Sequence, residues 1–225
     1  MLKEQLINNL SLILITDRNH CKQPLIDTIR SALKGGVKTV QLREKGLATH
    51  ELYSLACELR KITSDFKANF IVNDRVDIAL AVESEGVHLG WQSLPFNVVR
   101  KLLGFEKLIG VSTHNRQEAL QAQEYGADYI TFGPIFDTPS KAGLLKPTGV
   151  EEIQKLKNEI NLPIIALGGI NGENVEAILD EGADGIAVIS SIMQADDPED
   201  AARCLCNKIV TFNAPRSLYD VKFLP

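Results

Sequence analysis

Apolar residues along the chain come in two alternating forms. Short unbroken runs such as LILIT, TVQL, FIV, ITF and GIAV are separated by longer stretches in which apolar positions recur every three or four residues. The first form reads as a strand buried on both faces, the second as a helix with one apolar stripe. One unit recurs: amphipathic helix, glycine stop, short strand. It is spelled SALKGGVKTVQL, VESEGVHLG, AQEYGADYITF and LDEGADGIAV. Gly36, Gly86, Gly126 and Gly182 are placed where a helix ends and the backbone enters the left-handed region.

The pattern predicts eight strands, near 11–16, 37–42, 69–73, 86–89, 107–111, 127–132, 162–167 and 184–189. Helices are predicted near 22–34, 49–64, 75–83, 95–103, 115–125, 149–160, 172–181 and 198–210. Strict β/α alternation calls for a parallel sheet, and eight units in 225 residues favour closure. The expected fold class is α/β, a (β/α)8 TIM barrel over 1–225 as a single domain. An open doubly wound sheet would want G-x-G-x-x-G after an early strand, and the sequence has none. The tail from 211 to 225, TFNAPRSLYDVKFLP in its wider extent, has apolar and aromatic residues without a period. It packs either on the barrel or on another copy, so a homo-oligomer stays open.

Composition narrows the partners. Apolar residues make up 44% and charged residues 24%, ordinary values for a globular domain. The formal net charge is -5 with no basic cluster, which argues against nucleic acid. No apolar run approaches the roughly 20 residues that span a bilayer, so no membrane partner is expected. The apolar patch after MLKEQLINNL is too short for a signal sequence, and a cytoplasmic location is expected. Cys21, Cys57, Cys204 and Cys206 form no C-x-x-C, so incidental thiols are favoured over a zinc site or disulfides.

Chemistry in such barrels gathers at the C-terminal ends of the strands. The last two strands run into LGGI and IAVISSI. Gly168 and Gly169 admit a ligand close to the backbone, and Ile189 and Ser190 open a following helix, so the pair reads as a phosphate site. Strand two ends in QLREK. Gln41 and Arg43 alternate with Leu42 towards the lumen and Lys45 follows, a set suited to an anion. Strand three ends in Asn73 and Asp74, where a carboxylate beside phosphate groups suits magnesium, or where either residue caps the next helix. Strand four carries His88, read as a hydrogen-bonded core residue, then Trp91 and Ser93, the latter a helix-cap candidate. Strand five ends in Ser112 and His114, with His114 able to trade protons near neutral pH. The 17-residue stretch GPIFDTPSKAGLLKPTG is long for a loop and carries Thr138, Ser140 and Lys141, suited to pyrophosphate.

Taken together, QLREKG, VNDR, GVHLG, GVSTH, GADYITFGPIF, TPSK, ALGGI and GADGIAVISSI, in this order from Thr16 onward, resemble the thiamine-phosphate synthase and thiazole tautomerase family. The resemblance implies a transferase that joins hydroxymethylpyrimidine pyrophosphate to thiazole phosphate and releases pyrophosphate, with Mg2+ as cofactor. It assigns Gln41 and Lys45 to the pyrophosphate and pyrimidine side, Asn73 to the pyrimidine, and Asp74 to the metal. Ser112 and Lys141 would hold pyrophosphate oxygens, Thr138 and Ser140 the thiazole, and Gly169, Ile189 and Ser190 its phosphate. The sequence departs from the synthase pattern at HLGWQSL. Trp91 stands where Gln is common, and Ser93 stands where a second metal-binding Asp is expected. That loss favours the other branch, a metal-independent tautomerase (an isomerase) with His114 as acid and base. A non-catalytic thiazole phosphate binder is the third reading.

Overall fold

Eight parallel strands close on themselves in sequence order in the computed structural model, which describes residues 3–138 and 146–213. They are β1 (Leu12–Ile15), β2 (Thr39–Leu42), β3 (Asn69–Asn73), β4 (Gly86–Leu89), β5 (Leu108–Thr113), β6 (Tyr129–Phe132), β7 (Ile164–Leu167) and β8 (Gly185–Val188). A short helix, α1 (Lys3–Asn8), precedes them. The helices between strands are α2 (Leu25–Lys34), α3 (Thr49–Asp65), α4 (Val76–Ala81), α5 (Phe96–Leu103), α6 (Arg116–Tyr125), α7 (Glu151–Lys157) and α8 (Val175–Asp180). After β8 come α9 (Ser190–Met193) and α10 (Pro198–Asn213). The expected TIM barrel is therefore what forms. Its tail begins as the last turn of α10, and 214–225 lie outside the described residues.

The strand pattern explains the two cores. Outward-facing residues such as Val40, Phe70, Val87, Ile130 and Ile186 pack against the helices. Inward-facing Ile13, Ile15, Ile71, Leu108, Tyr129, Ile165 and Ala187 fill the lumen. Leu6 and Leu10, from α1 and the turn after it, join this inner cluster and plug the bottom of the barrel. Inward polar groups there hold the plug: Asn69 Nδ2 donates to the Leu6 carbonyl at 2.7 Å and Thr39 Oγ1 to the Asn9 carbonyl at 2.7 Å. The sequence reading contained no such helix.

Three acids placed just before strands tie the bottom rim. Glu85 accepts the Phe70 N–H, Asp128 the Ile109 N–H and Asp184 the Ile164 N–H, each at 2.7–2.8 Å. Each is also paired with a cation, Arg60, Arg100 and Lys157 respectively. These carboxylates satisfy strand-end donors that have no ladder partner.

Gly36, Gly126 and Gly182 take positive φ as expected. Gly86 does not: it opens β4 between Ile71 and Leu108, and a Cβ there would meet the Leu108 carbonyl oxygen at 2.2 Å. The left-handed turn after α4 falls instead on Glu83, at φ 53°. Several helices are shorter than expected, α4, α7 and α8 most clearly.

Candidate active site

At the C-terminal end of the barrel the lumen opens into a cavity of about 290 Å³. Inward-facing side chains are polar here: Gln41, Asn73, His88, Ser112 and Thr131 all line it. Arg43, Lys45, Asp74 and His114 add charge or proton-carrying groups from the strand ends of the same side. Thr138, Gly168, Gly169, Ile189 and Ser190 line the other side. Ser140 and Lys141 lie outside the described residues.

Gln41 is 1% exposed. Its Nε2 donates to Asn73 Oδ1 at 3.2 Å, while its Oε1 has no partner among the described residues. A buried acceptor left unpaired costs free energy unless a donor arrives. The amide therefore presents a ready acceptor to a ligand with an N–H or amino group.

His88 is the hub of the lumen. Its Nδ1 lies 3.2 Å from Tyr129 Oη, and its Nε2 lies 2.9 Å from Ser112 Oγ and 3.3 Å from Thr131 Oγ1. Burial, helped by the Arg43 charge, pushes its pKa down to about 3, so the ring is neutral at physiological pH. Burial pushes the Tyr129 phenol up, so it stays protonated. A buried phenol must donate, and Nδ1 is the acceptor in reach. Nε2 then carries the proton and donates to Ser112, whose own hydroxyl hydrogen is free to face a ligand. Gly110 makes this packing fit, since a Cβ there would meet the Tyr129 ring at 2.1 Å and His88 Nδ1 at 2.6 Å. The sequence reading took His88 as a core residue. The missed part is its link to Ser112, Tyr129 and Thr131, which strand parity alone would have placed on one face.

Asp74 sits at φ 67°, uncommon for a residue with a side chain. Its N–H bonds the His88 carbonyl at 3.0 Å. The helix-cap expectations near it are corrected. Helix α4 starts after Arg75 with no side-chain cap, and α5 starts after Pro95, also without one. Asp74 and Ser93 instead bond each other: Ser93 Oγ accepts the Gly90 N–H at 2.7 Å and donates to Asp74 Oδ1.

His114 is fixed by Glu118, whose Oε2 lies 3.0 Å from Nδ1 and accepts the His114 N–H at 2.8 Å. Asn115 caps α6 by accepting the Glu118 N–H at 2.9 Å.

Across the lumen, Gly168 and Gly169 take φ 107° and 65°. The segment after β6 presses on both: a Cβ on Gly168 would meet Pro134 Cα at 2.7 Å, and one on Gly169 the Asp137 carbonyl at 2.6 Å. Ser191 donates to the Ile170 carbonyl, tying this loop to the start of α9. The first N–H groups of that helix have no acceptor within it. Glycine turn and helix start thus form one corner of backbone donors.

Residues 12–192 match the family model described as thiamine monophosphate synthase. The chain belongs to that family. Thiamine-phosphate synthase from Syntrophomonas wolfei is 47% identical over 196 residues, 87% of this chain and 94% of the relative. Thiamine-phosphate synthase from Clostridium novyi is 40% identical over 200 residues, 88% of this chain and 98% of the relative. The solved thiamine phosphate pyrophosphorylase from Pyrococcus furiosus superposes with a TM-score of 0.86 at 38% identity, covering 92% of this chain and 99% of its own. The transferase reading thus stands on whole-barrel relatives, not on the cavity alone. Within the family frame the metal site is sparse. Among the described residues no group of three or more His, Cys, Asp or Glu is placed to hold an ion.

Proposed function

We propose that the cavity joins hydroxymethylpyrimidine pyrophosphate to thiazole phosphate, as a thiamine-phosphate synthase, and releases pyrophosphate. The observation that carries this reading is the two-sided cavity. One wall offers Arg43, Lys45 and a free Ser112 donor, and the opposite corner offers the backbone donors around Gly169 and Ser190. Two anions are served at two ends, with the heteroaromatic rings between them.

In this reading Gln41 Oε1 takes the exocyclic amine of the pyrimidine, which repairs its missing hydrogen bond. Asn73, held by Gln41 Nε2, orients the same ring. Arg43, Lys45 and Ser112 are aimed at the pyrophosphate, where negative charge grows as the bond to the methylene carbon breaks. That bond's electron pair leaves on the pyrophosphate. The thiazole nitrogen lone pair then forms the new C–N bond. The thiazole is held for this attack by its phosphate at Gly169, Ile189 and Ser190, with Thr138 beside it. Lys141 and Ser140 are assigned to pyrophosphate and thiazole respectively.

Asp74 is the group that would hold Mg2+, and the donor set fits an ion bound through one carboxylate plus phosphate oxygens. When bound, the ion supplies positive charge to the leaving group. Ser93 keeps the Asp74 carboxylate in place in the absence of a second acid.

A second reading, thiazole tautomerase, is favoured by one observation. Glu118 accepts from His114 Nδ1, which leaves Nε2 as a proton acceptor at the cavity.

A single domain in the cytoplasm accords with this function. No described helix is long and apolar enough to cross a membrane, and the four cysteines are free, as a reducing compartment would keep them.

Calorimetric titration with thiazole phosphate tests the site. Binding that is lost in Gly169→Ala supports it, and equal binding in that variant removes the corner from the site.

A further inference from the structure

Trp91 is the chain's single tryptophan. It lines the cavity and is 88% exposed. An indole left this open has a large apolar face that none of the described residues covers. The base that holds it is fixed. Gly90 donates to Ser93 Oγ, Ser93 N–H returns to the Gly90 carbonyl at 3.2 Å, and the Ser93 hydroxyl reaches Asp74. Trp91 and Gln92 are therefore the two central residues of a turn fastened to the end of β3. An aromatic face on a rigid support loses little entropy when a flat ring comes to rest on it.

The position in the barrel selects which ring. Strand β4 stands opposite β8 in the closed order of eight strands. The phosphate corner lies on the β7 and β8 side, so the ring it anchors enters there. On the synthase reading the pyrimidine ring lies with Gln41 and Asn73, and Trp91 lines the same cavity just past the end of the neighbouring strand β4. We propose that Trp91 is a substrate-binding residue that stacks on the pyrimidine ring and sets the enzyme's affinity for that substrate. This rests on the synthase reading above.

The test uses the full chain, where Trp91 is the only indole emitter. Hydroxymethylpyrimidine pyrophosphate, inorganic pyrophosphate and thiazole phosphate are titrated separately with magnesium present. The expected result is saturable quenching by the pyrimidine compound and little by the other two. Trp91→Leu keeps apolar area but removes the π-face. It should raise KM for the pyrimidine substrate about tenfold while kcat and KM for the thiazole move less than about twofold. Trp91→Phe should recover most of the loss. An unchanged KM in Trp91→Leu, or equal quenching by pyrophosphate alone, overturns the proposal. So does an emission maximum that shifts with protein concentration, which would assign Trp91 to a contact between copies. Quenching by the pyrimidine compound without product formation would sink the synthase reading yet keep the stacking contact. Turnover without quenching would do the reverse.

Discussion

The Ser93 hydroxyl donates to the carboxylate of Asp74, the residue that turns the chain at φ 67° where β3 ends. A neutral donor therefore occupies the place beside the carboxylate where the family resemblance leads one to expect a second acid. At this place on the rim one carboxylate, not two, lines the cavity. Ser93→Asp adds the second charge. Metal-free, the two carboxylates repel, and the melting temperature should fall. With magnesium and pyrophosphate present, ion affinity measured by calorimetry should rise about tenfold, equivalent to roughly 1.4 kcal/mol. Unchanged affinity would mean that Asp74 does not face the ion.

Gly169→Ala tests the phosphate corner from the other side of the lumen. The new methyl would meet the Asp137 carbonyl at 2.6 Å and Phe136 Cβ at 2.8 Å, at a φ of 65°. Left-handed backbone alone costs a non-glycine residue about 1–3 kcal/mol. Thermal unfolding should register that loss, and KM for thiazole phosphate should rise at least about tenfold. A variant with wild-type KM would separate the glycine's packing role from ligand binding.

His88 links stability to pH. Its folded pKa, near 3, lies below its ordinary value of 6.5. Between these values the unfolded chain binds a proton that the folded chain refuses, so folding is favoured as pH rises. The contribution is complete above about pH 6.5 and is lost progressively towards pH 3, with a limiting slope of about 1.4 kcal/mol per pH unit. Chemical denaturation from pH 7 to pH 4 should show this slope in the wild type. It should be reduced by about that amount in His88→Gln, which cannot take up a proton. An identical slope in both would place the titration elsewhere.

His114→Ala separates the two functional readings. In a synthase it should change the coupling rate by less than about tenfold, because no proton transfer there depends on it. In a tautomerase it should remove a general acid–base contribution of about 10²–10⁴. The measurement is the initial rate of each reaction with the same preparation.

The barrel was legible because its strands are buried on both faces and its helices carry clean stripes, so period alone separated them. LGGI and ISSI were legible as the ends of β7 and β8, because a glycine turn and a helix start mark where a strand stops. Helix α1 was hidden because KEQLIN is short and its one buried leucine, Leu6, suits any local structure. Gly86 misled because a glycine wanted for lack of room looks like one wanted for a turn. The bond between Asp74 and Ser93 joins residues on different strand ends. No local pattern encodes it, and both side chains had cap roles that sequence would equally permit.

The most direct test of the central claim supplies purified protein with hydroxymethylpyrimidine pyrophosphate, thiazole phosphate and magnesium, and follows thiamine phosphate and pyrophosphate together. Both products should appear in equal amounts, with the rate reduced about ten- to a hundredfold in Lys45→Ala through loss of a charge-assisted contact. Absence of both products at every magnesium concentration would contradict it.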